Sequence, residues 1–481
     1  MKSFNLIQAV RCASVQRWHR FALVGLWLGT LTVAACGNHV QAPPESEDIP
    51  ADIPTRVEPP SVIPSFATFV DGVSAPFGTF NGIPYNRYTG FFEGVTSLGA
   101  FRMPYEIVAP SEPGSGNGTV LVEPPHFLSG AAGRDFVLGR DLLFGSGFSY
   151  AAVGFGENGF NILDPTASGL MLAGQPANPG FPNFTGTLDE EIIVQFTEAL
   201  ATQAFAADIL GEVDRRHAYG ISQTASVLME VQRAVVARGG ASPFDLTLLH
   251  VAGWHPPFPG QVRFDFLSGD FEPIGGVGRV LFVESETDQV VTDAEEFRRA
   301  VGVPGYRVYE LAGAAHLPTV TNPLDHFAVA RALFVAGDAW VRAGVEPPPS
   351  TLIETAPAGQ IDPVYGFETG IARDGDLNAL GGVRLPDLAV GRAQFIASDP
   401  TTPPPGLLAI LTGNMVDLAC EPAPDAPNDE PRFRNHGEYV SAIAEEVNEL
   451  EREGFLLGAD APAIKSQAAN SEVGKPGTCD S

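Results

Sequence analysis

Short apolar runs alternate with helical patterns through residues 119–343, and this alternation constrains the fold more than any other feature of the chain. The runs are β-branched or apolar without polar alternation, as expected of strands buried on both faces of a parallel sheet. They are residues 119–122, 149–155, 244–251, 280–283 and 307–311. The pattern predicts an α/β fold built on a doubly wound, mostly parallel sheet.

Residues 217–225 (HAYGISQTA) stand in the middle of this alternation. They predict a short strand, a tight turn that carries Ser222, and then a helix over residues 226–238. A serine on such a turn can meet a substrate, and the helix N-terminus behind it favours developing negative charge. Residues 220–224 (GISQT) resemble the nucleophile elbow of the α/β-hydrolases, G-x-S-x-G, with Thr224 in place of the second glycine. Ser222 is therefore the candidate nucleophile.

A serine hydroxyl needs a base to take its proton and a carboxylate to orient that base. In the α/β-hydrolases the acid and then the histidine follow the serine along the chain. Two later strands supply this order, because one runs into ESETD at residues 284–288 and the next runs into His316. Asp288 is the first choice for the acid, Glu286 is the second, and Glu284 remains an alternative.

His316 fits the base better than the other histidines do, since it directly follows a strand and lies among small residues. The others precede the nucleophile or the acid, lie in an N-terminal tether, or adjoin a helix. After the predicted export signal, these other histidines are His39, His126, His217, His250, His255, His326 and His436.

The oxyanion formed in acyl transfer needs two backbone N–H donors. The residue after the nucleophile, Gln223, is expected to supply one. The other usually comes from the loop after the third strand of the fold, here EPPHF at residues 123–127. Its two prolines have no N–H, so His126 or Phe127 has to donate. His126 is the predicted donor.

The serine, acid and histidine segments together resemble a bacterial branch of the α/β-hydrolase superfamily whose members are mostly called alpha/beta hydrolase domain proteins. Residues 378–387 (NALGGVRLPD) and 453–457 (EGFLL) are also similar to that branch. The resemblance covers residues 105–460. It implies the α/β-hydrolase fold, a C-terminal extension packed on the same unit, and serine esterase chemistry through an acyl-enzyme without a cofactor. An amidase or peptidase, an acyltransferase and a non-catalytic binding lipoprotein of the cell envelope remain alternatives.

Residues 1–35 are predicted to be an export signal. Basic residues without any acidic one come first, and residues 21–35 form an apolar run that is short for a membrane span. Small residues directly before Cys36 resemble a bacterial lipobox, so Cys36 is the predicted lipidation site; an ordinary signal peptide is the alternative. The protein is expected in the cell envelope, on the outer membrane of a Gram-negative cell, or secreted.

The predicted domain boundaries follow from changes in composition. Residues 36–65, rich in Pro, Glu and Asp, are a lipidated tether; residues 66–458 are the hydrolase domain, and residues 459–481 are a tail. The C-terminal extension is residues 347–458. Residues 158–186, rich in Gly, Pro, Asn and Phe, are interpreted as a lid-like insertion over the substrate, with a solvent loop as the alternative.

The remaining expectations concern cysteines, metals and partners. Cys420 and Cys479 are predicted to form a disulfide, because an oxidising compartment permits one. A formal net charge of −29 argues against binding to nucleic acid or to an anionic membrane surface. The sequence contains neither an H-E-x-x-H nor a C-x-x-C motif, so no metal site is predicted. Residues 374–378 (DGDLN) are interpreted as a turn rather than a calcium loop. The expected partners are a small or polymeric ester and, through the lipid anchor only, a membrane.

Overall fold

The computed structural model describes residues 67–96, 99–126, 130–154, 189–252, 272–292, 294–399, 407–424 and 430–479. The predicted export signal, the lipidation site Cys36, the tether, Phe127 and the predicted lid-like insertion at residues 158–186 lie outside these ranges.

Nine strands of the described chain form one sheet in the order β1-β2-β3-β5-β4-β6-β7-β8-β9. The pairs from β5 to β9 are parallel, and β1, β2, β3 and β5 pair antiparallel. The strands are β1 Thr68–Phe80, β2 Ile83–Thr96, β3 Gly99–Pro110, β4 Thr119–Val122, β5 Ser149–Val153, β6 Arg215–Ile221, β7 Leu246–His250, β8 Arg279–Ser285 and β9 Tyr306–Leu311. The predicted α/β fold class with a mostly parallel sheet is confirmed.

Helices cover both faces of this sheet. The helices are α1 Arg140–Gly145, α2 Asp189–Thr202, α3 Ala204–Leu210, α4 Gln223–Ala237, α5 Glu286–Val291, α6 Phe327–Ala343, α7 Pro386–Ala389, α8 Leu407–Thr412, α9 His436–Glu453 and α10 Ala461–Asn470, with a π-helical turn at Gly133–Val137 and a 3-10 helix at Ala294–Ala300. Phe282 of β8 lies in the core that α2 and α4 share with the sheet. Its neighbour Leu281 faces α6, where a methyl group on Gly337 would come within 2.9 Å of the Leu281 side chain. Alternate residues of a buried strand thus pack against opposite helical layers.

The C-terminal region continues the sheet at its β9 edge. The Glu310 N–H donates to the Thr351 carbonyl at 2.9 Å, and the Val383 N–H donates to the Glu310 carbonyl at 2.8 Å. These bonds satisfy backbone groups that an open edge strand would expose. A small hairpin follows, made of β10 Ala393–Ile396 and β11 Asn414–Asp417.

The end of the described chain is held by helix packing and by a covalent bond. Helix α10 packs on α9, and Cys420 and Cys479 form a disulfide with a Cα–Cα distance of 5.3 Å. Of the helices in the described ranges, none has both the length and the apolar character that crossing a membrane requires.

Candidate active site

Ser222 occupies a strained turn between β6 and α4. Its φ is 53° and its ψ is −119°, a backbone conformation that a residue with a side chain rarely adopts. The Ser222 N–H donates to the His250 carbonyl at 2.8 Å, which ties the turn to the end of β7. Gly220 is required there, because a Cβ would come within 2.6 Å of the Ala225 nitrogen and of the Thr224 carbonyl. Helix α4 begins immediately after the serine, earlier than the sequence predicted.

Thr224, which replaces the second glycine of the elbow motif, secures the turn. Its buried hydroxyl accepts a hydrogen bond from the Ile221 N–H at 2.9 Å and donates one to the Ile221 carbonyl at 3.0 Å. The side chain therefore links the end of β6 to the first turn of α4. Threonine at this position therefore adds two hydrogen bonds to the elbow, and the turn that carries Ser222 still forms.

Replacing Thr224 with valine is expected to lower the free energy of unfolding by about 1–3 kcal/mol. Valine has the shape of threonine, but it leaves the buried Ile221 N–H without its hydroxyl acceptor. Thr224→Ser keeps the hydroxyl and is the matched control, expected to lose less stability than the valine variant. Urea unfolding measures both variants, and a valine variant more stable than the serine variant would contradict this role of the hydroxyl.

The structure brings Ser222, His316 and Asp288 into one hydrogen-bonded chain. The His316 Nε2 lies 3.0 Å from the Ser222 Oγ, and the His316 Nδ1 lies 2.9 Å from the Asp288 Oδ1. An ionised carboxylate can only accept, so Nδ1 carries the proton and Nε2 is left to accept from the serine hydroxyl. The three residues are 8%, 2% and 0% exposed in the same order, so their mutual interactions are only weakly screened by water.

Asp288 is anchored at the start of helix α5. Its second oxygen, Oδ2, accepts hydrogen bonds from the Ser285 hydroxyl at 2.6 Å and from the Ser285 N–H at 3.3 Å. These bonds belong to a capping box, in which Ser285 is the N-cap residue of α5. One oxygen is thus held by Ser285, and the other is directed at His316.

The two glutamates considered as alternative acids make other contacts. One Glu286 oxygen lies 2.7 Å from the Arg373 Nη1, and the other accepts from the Gly313 N–H at 2.6 Å. The Glu284 carboxylate accepts from the Ala252 N–H, at 2.9 Å to its Oε2. Among the three predicted candidates, the geometry therefore favours Asp288 as the partner of the His316 Nδ1.

One predicted oxyanion donor suits its position. Gln223 is the first residue of α4, and its N–H lies among those of the first turn that have no acceptor within a helix. This donor directly follows the nucleophile in the chain. The N–H groups at the N-terminus of a helix favour negative charge near them.

The prediction that the His126 N–H is the other oxyanion donor is wrong. That group donates to the Gly130 carbonyl at 2.8 Å, and the Gly130 N–H donates back to the His126 carbonyl at 2.7 Å. Burial, followed by the charge of His316, lowers the pKa of the His126 imidazole to about 4. His126 is therefore a buried neutral side chain near the candidate base. The alternative donor, Phe127, lies outside the described residues.

A buried polar chain that the sequence did not predict lies next to the candidate triad. The Tyr219 hydroxyl is 2.9 Å from the His250 Nδ1, and the His250 Nε2 is 2.8 Å from the His326 Nδ1. Burial, followed by the nearby charge of His316, lowers the pKa of His326 to about 4. The only sequence signal was a histidine at the end of an otherwise apolar strand, and that signal did not identify a partner.

Glu123, the first residue of the predicted oxyanion loop, is a further buried group. Its carboxylate accepts from the Gly133 N–H at 2.6 Å and from the Arg134 N–H at 3.2 Å. Burial raises its pKa from the ordinary 4.5 to about 8, although these two N–H groups act in the opposite direction. The folded protein therefore holds the Glu123 proton to a higher pH than the unfolded chain does.

A Glu123→Gln variant is expected to change how stability depends on pH. Because the folded pKa is raised, the stabilisation associated with the Glu123 proton is complete below pH 4.5 and is lost as the pH rises through about 8. Over this window the wild type should lose stability relative to the glutamine variant by up to about 1.4 kcal/mol per pH unit. Urea unfolding at a series of pH values measures the difference, and parallel curves would contradict the assignment.

No metal site accompanies these groups in the part of the chain that the structure describes. There, no cluster of three or more His, Cys, Asp or Glu side chains is placed to hold a metal ion. The segment that begins like a calcium loop is a turn, in which Asp374 accepts from the Asp376 and Asn378 N–H groups.

The sequence model of the family described as "Alpha/beta hydrolase domain" matches residues 101–328 and 319–466. Solved structures that resemble the chain include esterase Est22, with 14% identity, 47% of this chain and 71% of that chain covered, and a TM-score of 0.31. An esterase from the archaeon Pyrobaculum calidifontis has 12% identity, covers 46% of this chain and 74% of that chain, and has a TM-score of 0.31. Brefeldin A esterase, a bacterial homologue of human hormone sensitive lipase, has 11% identity, covers 46% of this chain and 68% of that chain, and has a TM-score of 0.30. No curated protein matches the chain.

Proposed function

We propose that this chain, which belongs to the alpha/beta hydrolase domain family, is a serine hydrolase that cleaves carboxylic esters. One observation carries the proposal: the continuous chain from the Ser222 Oγ through the imidazole of His316 to the carboxylate of Asp288, with links of 3.0 and 2.9 Å. Each distance is within hydrogen-bond reach, as a nucleophile, its base and the carboxylate that orients the base require.

In the proposed reaction the Ser222 Oγ attacks the ester carbonyl carbon while its proton moves to the His316 Nε2. Asp288 stabilises the imidazolium, and the Gln223 N–H donates to the carbonyl oxygen as it becomes an oxyanion. When the tetrahedral intermediate collapses, the C–O bond to the alcohol breaks and Nε2 returns the proton to the leaving oxygen. Water then attacks the acyl-enzyme by the same steps, releasing the carboxylic acid and restoring Ser222.

Matched chromogenic substrates test the choice of reaction. The purified protein is expected to hydrolyse p-nitrophenyl acetate, butyrate and octanoate, and to hydrolyse the corresponding p-nitroanilides much more slowly. Faster anilide cleavage would favour an amidase or peptidase, and product acylated on an added alcohol would favour an acyltransferase. A folded protein with no turnover of any of these substrates would contradict the proposal and favour a binding lipoprotein.

The place of this activity is proposed to be the cell envelope of a bacterium, with the chain exported and held by a lipid on Cys36. The support is the lipobox-like sequence together with the Cys420–Cys479 disulfide, a bond typical of oxidising compartments. After expression in a bacterium, the full chain should partition into the detergent phase of Triton X-114, and Cys36→Ser should move it to the aqueous phase. Cys12→Ser is the matched control, and detergent partitioning that survives Cys36→Ser would contradict lipidation there.

A further inference from the structure

Glu286 bridges the two loops that carry the acid and the base of the candidate triad. It is the first residue of helix α5, two positions before Asp288. Its Oε2 accepts from the Gly313 N–H at 2.6 Å, and Gly313 belongs to the loop that leads to His316. The carboxylate is 0% exposed. A single buried side chain thus connects the segment of Asp288 to the segment of His316.

Arg373, from the C-terminal region, holds that bridge in place. Its Nη1 lies 2.7 Å from the Glu286 Oε1, while its Nε and Nη2 lie 3.1 and 2.8 Å from the Asp362 Oδ2. The Arg373 side chain is 4% exposed, and those of Glu286 and Asp362 are 0% and 1% exposed. Asp362 is fixed in turn by the Thr369 hydroxyl at 2.6 Å. The guanidinium therefore joins a turn of the C-terminal region to the bridge between the two loops.

Other contacts between the same segments run in parallel with this ion pair. The Thr287 hydroxyl donates to the Ala397 carbonyl at 2.6 Å and accepts from the His316 N–H at 3.1 Å. The Leu317 N–H donates to the Leu411 carbonyl at 2.9 Å. On the other side of the histidine, the Ala312 N–H donates to the Val383 carbonyl at 3.1 Å. The C-terminal region therefore contacts the chain both before and after His316, and it contacts α5 at Glu286 and Thr287.

We propose that Arg373 is a positioning residue of the hydrolase: through Glu286 it sets the separation of Asp288 and His316. The C-terminal extension is then a working part of the catalytic site rather than an appended segment. This inference rests on the function proposed above.

The energetics of buried ion pairs support a positioning role. Such pairs add little net stability, because the desolvation of both charges offsets their attraction. Their geometry is nevertheless stringent, and here the partners come from segments far apart in the chain. A displacement of about 1 Å in a catalytic group can lower the rate of a reaction by about 100-fold. An arginine that fixes two catalytic loops relative to each other can therefore affect turnover more than stability.

Three variants test this role in the full chain. Arg373→Lys keeps the charge but loses the planar fork, and Glu286→Gln keeps the side-chain shape but loses the charge. Both are expected to lower kcat for p-nitrophenyl butyrate by about 10- to 100-fold and to change KM by less than about 3-fold. Arg432→Lys is the matched control: it loses the planar fork of another largely buried ion pair of the C-terminal region, in which the Arg432 Nη1 lies 2.6 Å from the Asp376 Oδ2. Its kcat should remain within about 3-fold of the wild type, whatever its loss in unfolding midpoint.

The double variant Glu286→Gln/Arg373→Lys gives the sharpest result. If both residues act through one contact, its kcat should be close to that of the worse single variant. The proposal would be overturned if the fold-loss in kcat of the double variant equalled the product of the two single losses. It would also be overturned if kcat followed the unfolding midpoint across all four variants. Wild type and Ser222→Ala are measured in the same series. A wild type no faster than Ser222→Ala would instead refute the proposed hydrolase function.

Discussion

Replacing Ser222 with alanine is expected to lower kcat for p-nitrophenyl butyrate by about 10,000- to 1,000,000-fold. The Ser222 Oγ is the atom 3.0 Å from the His316 Nε2, and alanine removes it without adding bulk to the turn. The acyl-enzyme can then no longer form. KM should change little where it reflects substrate binding, because alanine leaves the other side chains around residue 222 in place. Initial rates across a range of substrate concentrations provide both constants.

The control for this variant is Ser466→Ala, at an exposed position in helix α10. It is expected to retain wild-type kcat and wild-type thermal stability. A Ser222→Ala protein that stays folded and keeps more than about a tenth of wild-type kcat would show that the serine is not the nucleophile.

Replacing Asp288 with asparagine is expected to lower kcat by about 10,000-fold. The Ser285 hydroxyl and N–H both donate to the Oδ2 of Asp288, so the oxygen of an asparagine should remain at that position. Its NH2 group then faces the His316 Nδ1 and forces that nitrogen to accept. The proton moves to Nε2, and His316 loses the lone pair that takes the proton of Ser222. Steady-state kinetics at neutral pH measures the loss.

Glu286→Gln is the comparison that separates the two carboxylates, since Glu286 was the second sequence candidate for the acid. Its carboxylate contacts Arg373 and Gly313, so its kcat is expected to stay at least about 100-fold above that of Asp288→Asn. Equal losses in the two variants, or a larger loss in Glu286→Gln, would contradict the role assigned to Asp288.

The strand pattern made the fold predictable, because strands buried on both faces carry continuous apolar runs. It also placed Ser222, Asp288 and His316 at strand ends, since the carboxyl ends of parallel strands share one edge of the sheet. Spacing alone could not choose between Glu286 and Asp288, which lie two residues apart. The two carboxylates differ in their partners, because Glu286 pairs with Arg373, which lies 87 residues away along the chain. Only the folded structure shows that these two residues are in contact.

The oxyanion loop marks a second limit of sequence reasoning. The two prolines at residues 124 and 125 removed two donors, which left His126, the predicted donor, and Phe127. The pairing of His126 with Gly130 could not be inferred, because a local two-way bridge depends on how the backbone of the loop bends. Thr224 is a similar case. The motif comparison marked it as a departure, and only the structure gives its hydroxyl a partner in Ile221.

Labelling with a fluorophosphonate probe, followed by mass spectrometry of the tryptic peptides, tests the central claim most directly. The probe reacts with a serine only when a base activates it, so it reports the chemistry of the triad without a choice of substrate. The wild type should carry one label, on Ser222, and the Ser222→Ala protein should carry none. Labelling of Asp288→Asn should be much slower. A folded wild type that stays unlabelled, or that carries its label on another residue, would contradict the assignment of Ser222, His316 and Asp288 as a catalytic triad.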